Sequence, residues 1–390
     1  MCGIAGFLSS EEWKNNSDVS WVKQLADSLA LIYADTIDSA QLRRCVDTLI
    51  NKFDDLMKFS FYFELAAKSD FYCQVEQLAV LLEKTLGRLS ERLQTEEIES
   101  LRQDIEDSIW QIRAEVLQSV PRTFQLINSE VMRKTPNRAQ QFVAWAIEKV
   151  LENIDRLEVR GRDSAGIAVQ LLIDKNTLTL QIPELSKDRL LTKCFSIENG
   201  VKIDVTGNQL ANGDFVLTFV YKVANLVGHL GDNTKFIRRA VTNDEYLWNA
   251  AQFVQKVNMI AHTRWASNGI ISLANCHPVD GELYCRESLD SVADREAQFV
   301  LNGDVDNYHD LLENLVHSKG YQIDPAITTD AKILPVFYRL GTSLSEPYFK
   351  RFSELMNSCD GSLAIVMQHP LLPETLVLGQ KGSGQSLFIG

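Results

Sequence analysis

The chain opens Met-Cys-Gly-Ile-Ala-Gly-Phe, so removal of Met1 would leave Cys2 as the N-terminal residue with a free α-amine. An α-amino group titrates at about 8, close enough to neutrality to take the thiol proton and later pass it to a leaving amine. One residue then supplies both nucleophile and base. A second-position cysteine also arises by accident, and at this point that reading stays open. The other cysteines, at 45, 73, 194, 276, 285 and 359, form no C-x-x-C pair. Neither a disulfide framework nor a zinc site is suggested, and these six read as small buried hydrophobes. A thiolate nucleophile needs a reducing compartment, and the apolar start lacks a basic n-region, so the expected location is the cytoplasm.

The elements that would hold such a nucleophile fall into two textures. Between Gly6 and Gly161 there is a single glycine, Gly87, and no proline precedes Pro121, so turn punctuation is nearly absent. Val75, Leu78, Leu82, Leu86, Leu89 and Leu93 recur at helical spacing, as do Ile98, Leu101, Ile105, Ile109, Ile112 and Val116. Thr95 before Glu96 and Glu97 reads as an N-cap with acids in the first turn. Further helices are expected over about 20–34, 39–66 and 139–157, with Pro121 and Pro136 marking breaks. Beyond Gly161 the texture changes to β-branched or apolar runs, among them Gly166–Leu172, Phe215–Val220, Gln298–Leu301 and Leu363–Met367. An α+β region therefore follows an all-helical bundle. With 390 residues, 45% apolar and 23% charged, the chain can bury a sizeable core. A net charge of -13 gives no support to nucleic-acid binding, and no apolar run is long enough to span a bilayer. A homo-oligomer is left open.

Five ordered clusters carry the rest of the chemistry. Arg160-Gly161-Arg162-Asp163-Ser164-Ala165-Gly166 comes first, then Ala261-His262-Thr263-Arg264-Trp265-Ala266-Ser267-Asn268-Gly269. Asn275-Cys276-His277-Pro278, Leu301-Asn302-Gly303-Asp304-Val305-Asp306-Asn307 and Thr328-Thr329-Asp330 follow. In this order, behind the N-terminal Cys2, the sequence resembles the class II glutamine amidotransferases, most nearly the glutaminase domain of the glucosamine-6-phosphate synthases. The His-Thr-Arg-Trp-Ala element is the most specific part.

The resemblance implies a four-layer αββα N-terminal-nucleophile hydrolase sandwich formed by residues 1–9 and 139–390, with residues 10–138 as a large inserted all-helical bundle. It implies Cys2 as nucleophile and L-glutamine as substrate, and the Asn302 side chain with the Gly303 backbone N–H as the oxyanion hole. Arg264 would clamp the α-carboxylate, for which a planar fork suits, and Asp330 would pair with the α-ammonium. Trp265, Ser267 and Asn268 would lie on a loop over the substrate. No metal and no organic cofactor is implied, and His262 and His277 are read as structural. Arg160 and Asp163 are read as scaffolding around the nucleophile. Ammonia would pass to a sugar-phosphate synthase/isomerase region in cis or trans, and this chain is expected to be a piece of a longer protein.

Taken alone, Asn302-Gly303 is also a hairpin-turn dipeptide, Arg264 and Asp330 suit a surface ion pair, and Trp265 suits a core. One departure stands out: Ser267-Asn268 replaces the family's usual Thr-His, keeping a hydroxyl and a hydrogen-bonding group but losing a titratable ring. The alternative function is a degenerate glutaminase-like regulatory or docking module whose working surface is the bundle.

Overall fold

In a computed structural model of the chain, the described residues are 2–9, 11–34, 38–89, 96–127, 135–159, 161–176, 194–225, 231–265, 269–283 and 292–389. Two compact units divide it: residues 10–127, and residues 1–9 together with 128–390.

The first unit is helical throughout its described elements: α1 (Ser20–Ala34), α2 (Ser39–Ile50), α3 (Phe53–Leu56), α4 (Phe59–Ala67), α5 (Ser69–Leu89), α6 (Glu96–Trp110), a π-helical segment Gln111–Leu117, and α7 (Ser119–Leu126). Asp38 starts α2 by accepting from Ala40 N at 2.9 Å. The stripe Val75, Leu78, Leu82 and Leu89 of α5 is buried, as are Leu101, Ile105, Ile112 and Val116, all in one apolar cluster. Thr95 and Leu93 lie outside the described residues.

Two expectations are corrected here. The single helix read over 39–66 is three, because α4 buries Phe59, Phe61, Tyr62, Glu64 and Leu65 on nearly every side. That all-round burial cannot continue the one-sided stripe of α2, so the chain turns at Asn51 and again at Met57. Pro121 does not separate helices but sits in the first turn of α7, where its missing N–H would have no intrahelical partner anyway.

In the second unit the main elements, besides short helical turns, are β1 (Gly3–Leu8), α8 (Arg138–Leu157), β2 (Ser164–Ile173), β3 (Cys194–Glu198), β4 (Val201–Gln209), β5 (Phe215–Val223), α9 (Asp232–Asn243), α10 (Glu245–Ala251), β6 (Val254–Arg264), β7 (Gln298–Gly303), α11 (Ile333–Leu340), α12 (Tyr348–Ser358), β8 (Leu363–Gln368) and β9 (Leu376–Lys381). The unit is mixed α+β with two antiparallel sheets, ordered β1-β6-β2-β5-β4-β3 and β7-β8-β9. Ala168, Val220 and Ile260 of the large sheet pack with Val300 and Val366 of the small one, and Ile4 joins them. Central strands β2 and β5 are buried along their whole length, as strands covered on both faces must be.

Helix α8 is started by a reciprocal capping box: Gln140 N donates to Asn137 Oδ1 at 2.9 Å and Asn137 N to Gln140 Oε1 at 3.0 Å. Its Phe142 and Trp145 meet Phe7 of β1 at ring-centroid distances of 6.1 and 6.0 Å. Against the small sheet, Val336, Phe337 and Leu355 of α11 and α12 share a core with Phe299, Leu301 and Ile365. Of the six cysteines read as buried, Cys276 and Cys359 are; Cys45 is only half-buried and Cys73 is exposed on α5, while Cys194 and Cys285 have no described side chain.

Candidate functional site

Register places the site. Gly3 pairs with Thr263, so the residue before β1, Cys2, lies beside the end of β6 at Arg264 and Trp265. A Cβ on Gly3 would fall 2.4 Å from Leu157 Cβ and 2.8 Å from Thr263 Oγ1. Only glycine lets the last turn of α8 lie against the strand directly after Cys2.

The Cys2 Sγ accepts from the Trp265 N–H at 3.4 Å and lies 3.7 Å from the Trp265 carbonyl oxygen. Burial pushes the thiol above its ordinary value; the Trp265 N–H and the Arg264 charge oppose that. On its other side the Cys2 N donates to Asn302 Oδ1 at 3.2 Å. With the oxygen of that amide engaged, its Nδ2 is the remaining donor arm. Asn302 and Gly303 end β7 in register with Ala364 and Leu363 of β8, not in the tight hairpin their dipeptide also suits. Gly303 has φ +130°, and a Cβ there would lie 1.9 Å from the Ser362 carbonyl oxygen, so the position admits no side chain.

Arg264 is 4% exposed, which excludes a surface ion pair, and its Nη1 donates to the Ile270 carbonyl at 3.3 Å. Asp330 is also buried and accepts from the Val305 N–H through Oδ2 at 2.8 Å. Burial raises its carboxyl above the usual range; the Val305 N–H pulls the other way, and the Asp304 charge adds to the rise. Asp304 bears on Cys2 in the same sense. Trp265 is 55% exposed, so it is no core aromatic. It meets the thiol through its backbone N–H and carbonyl. Ser267, Asn268 and Arg160 lie outside the described residues. Asp163 touches the site through its backbone N–H, which donates to the Arg264 carbonyl at 3.1 Å.

Asn275, in the Asn-Cys-His-Pro cluster, has a role that its residue type alone does not predict. Its Nδ2 donates to the Ile270 carbonyl and to Thr328 Oγ1, both at 2.9 Å. Its Oδ1 accepts from Thr328 N at 2.7 Å and Thr329 N at 3.1 Å. One buried amide thus fastens the segment that receives Arg264 to the segment that presents Asp330. The signal was available only as an asparagine between two apolar runs, because three of its four hydrogen bonds go to groups 53 and 54 residues away. His262 and His277 lie against each other in the interior with their rings tilted by 48°, His262 Nε2 being 2.8 Å from the Leu301 carbonyl and 3.1 Å from His277 Nδ1. Burial lowers both, His262 to about 3, so both are neutral. Groups of acidic, histidine and cysteine side chains able to hold a metal do not occur among the described residues.

No family model matches the chain. Over 250 residues, 63% of the chain, it is 25% identical to the glutamine–fructose-6-phosphate aminotransferase (isomerizing) of Saccharomyces cerevisiae. Over 128 residues, 32% of the chain, it is 32% identical to the enzyme of the same description from Encephalitozoon cuniculi. The chain is distantly similar to the class II glutamine amidotransferases. The matches span only 26% and 17% of those two relatives' own lengths. Among solved structures, the glutamine phosphoribosylpyrophosphate amidotransferase of B. subtilis, complexed with ADP and GMP, matches 60% of this chain and 34% of its own at 12% identity, with a TM-score of 0.30. No helix among the described residues is long and apolar enough to cross a membrane.

Proposed function

We propose that this distant amidotransferase relative is a working glutaminase, built as an αββα N-terminal-nucleophile hydrolase. Once Met1 is removed, the nitrogen that now donates to Asn302 becomes the α-amine of Cys2. That amine takes the thiol proton, and the thiolate attacks the side-chain amide carbon of L-glutamine. The developing oxyanion is met by Asn302 Nδ2 and the Gly303 N–H, neutral donors that add no titrating group. The amine returns the proton to the departing nitrogen, ammonia leaves, and water hydrolyses the thioester to glutamate. Arg264 holds the α-carboxylate and ionised Asp330 the α-ammonium, with Trp265, Ser267 and Asn268 over the substrate. Ammonia passes to a synthase/isomerase region, a step that rests on the description of the yeast relative.

The observation that carries this reading is the 3.2 Å hydrogen bond from Cys2 N to Asn302 Oδ1. It joins the proposed nucleophile to the proposed oxyanion donor across 300 residues of chain. The test is glutamate release from L-glutamine together with labelling by an electrophilic diazoketone analogue of glutamine. Turnover and modification at Cys2 are expected. Modification at another cysteine, or none with glutamine untouched, leaves the regulatory or docking module as the surviving reading.

A further inference from the structure

At the β3–β5 end of the large sheet, away from Cys2, there is a cavity of about 460 Å³. Its walls include Lys202, Asp204 and Lys222 from the sheet, Asp280, Glu282 and Leu283 from the loop after His277, and Lys332. Cross-strand partners share a face, and the register pairs Lys202 with Lys222, Asp204 with Val220 and Phe195 with Asp204. Val220 belongs to the core between the sheets, so all of these side chains stand on the inner face.

Two of the three lysines are satisfied. Lys202 Nζ pairs with Asp204 Oδ2 at 2.9 Å, and Lys332 Nζ donates to the Asp280 carbonyl at 2.6 Å and its Oδ1 at 3.1 Å. Lys222 is 6% exposed, and among the described residues its Nζ has no hydrogen bond and no ion pair but is not sealed from the cavity; burial lowers its pKa, and the charges of Asp280 and Asp204 oppose that only through space. A largely buried ammonium without a contact partner is costly, and the Lys202 ammonium opposite, though paired with Asp204, adds to that cost. An anion between the two lysines relieves both costs. Beside them, Phe195 is 70% exposed and Leu273, Val279 and Leu283 line the cavity, an apolar seat for the body of the same molecule. The carboxylates of Glu282 and Asp324 at the wall oppose a ligand with several negative charges.

We propose that this cavity is a second binding site, for a small organic monoanion whose carboxylate sits on Lys222 and Lys202 and whose apolar body lies on Phe195 and Leu273. The site uses none of the residues around Cys2, so its failure and the failure of the glutaminase reading are separate events.

The probe is 4-fluorobenzoate, followed by fluorine NMR titration of the full chain, with benzoate and tripolyphosphate as competitors. Saturable binding is expected, weakened at least about tenfold in Lys222→Met, the scale of one charged hydrogen bond. Phe195→Ala should weaken it several-fold, and benzoate should displace the probe far better than tripolyphosphate. Absence of saturable binding, equal affinity in Lys222→Met, or stronger displacement by tripolyphosphate overturns the proposal. Should Lys222→Met lose its circular dichroism, the half-exposed Lys202→Ala decides instead: weakened binding supports the site and unchanged binding overturns it.

Discussion

The helical unit and the sheet unit hold their key side chains in opposite ways. In α5 the buried residues Val75, Leu78, Leu82 and Leu89 follow one another at helical spacing and pack as a stripe. Around Cys2 the partners come from positions 264, 265 and 302, joined by strand register and by single hydrogen bonds. In the first case any apolar side chain of the right volume serves. In the second, the identity of each donor and acceptor decides. Substitutions in the helical unit should therefore register as stability, and substitutions around Cys2 as chemistry.

The largest effect expected from that contrast is in the helical unit. Leu82→Ala removes a fully buried side chain and should cost about 2–5 kcal/mol in denaturant unfolding, while leaving the rate of analogue labelling at Cys2 unchanged. A matching fall in labelling would break the contrast. Next, Asn302→Ala should lower kcat for glutamine hydrolysis roughly 10²- to 10³-fold with thermal stability nearly intact. Steady-state kinetics beside a melting curve separates the two.

Much of the helical unit was legible because its information is local: period, the absence of glycine and proline, and acids at a helix start all lie within one window of sequence. The misreadings there, the unbroken helix over 39–66 and the break at Pro121, came from tertiary burial of the aromatic α4 and from a proline tolerated in a first turn. Around Cys2 the residue types could be named, but the contacts that position them could not. Asn275 carries no such local signal, because three of its four hydrogen bonds go to groups 53 and 54 residues away. The backbone of Trp265, which meets the thiol, carries no residue-type signal at all. The helical wall behind Gly3 was equally invisible, since a glycine before an apolar residue does not say what approaches it.

Smaller effects sharpen the same picture. Arg264→Lys keeps the charge but loses the planar fork, so it should raise KM for glutamine by roughly ten- to a hundredfold, the scale of about 1.5–3 kcal/mol for a charge-assisted contact. An unchanged KM removes Arg264 from the substrate clamp. Asn275→Ala should shift KM in the same direction, since it frees both segments of the clamp.

The smallest expected effect is a pH slope. His262 is held neutral with its pKa lowered to about 3 from an ordinary 6.5. Between those values the unfolded chain binds a proton that the folded chain refuses, so stability is lost as pH falls below about 6.5, at up to about 1.4 kcal/mol per pH unit. His277 acts in the same direction. The raised carboxyl of Asp330 acts oppositely, so the difference between wild type and His262→Gln is the quantity to follow. Chemical unfolding from pH 7 to pH 4 should show a shallower loss in the variant, and parallel curves would contradict the neutral histidine pair.

The central claim is that Cys2 supplies nucleophile and base together, and the N-terminus itself tests it. Protein that retains Met1 and protein from which methionine aminopeptidase has removed it can be incubated side by side with the diazoketone analogue of glutamine and weighed by intact-mass spectrometry. Adduct on Cys2 is expected only in the chains that have lost Met1, together with glutamate release from that sample alone. Equal labelling and turnover in chains that still carry Met1, where the same nitrogen is an amide and cannot accept a proton, would contradict the account.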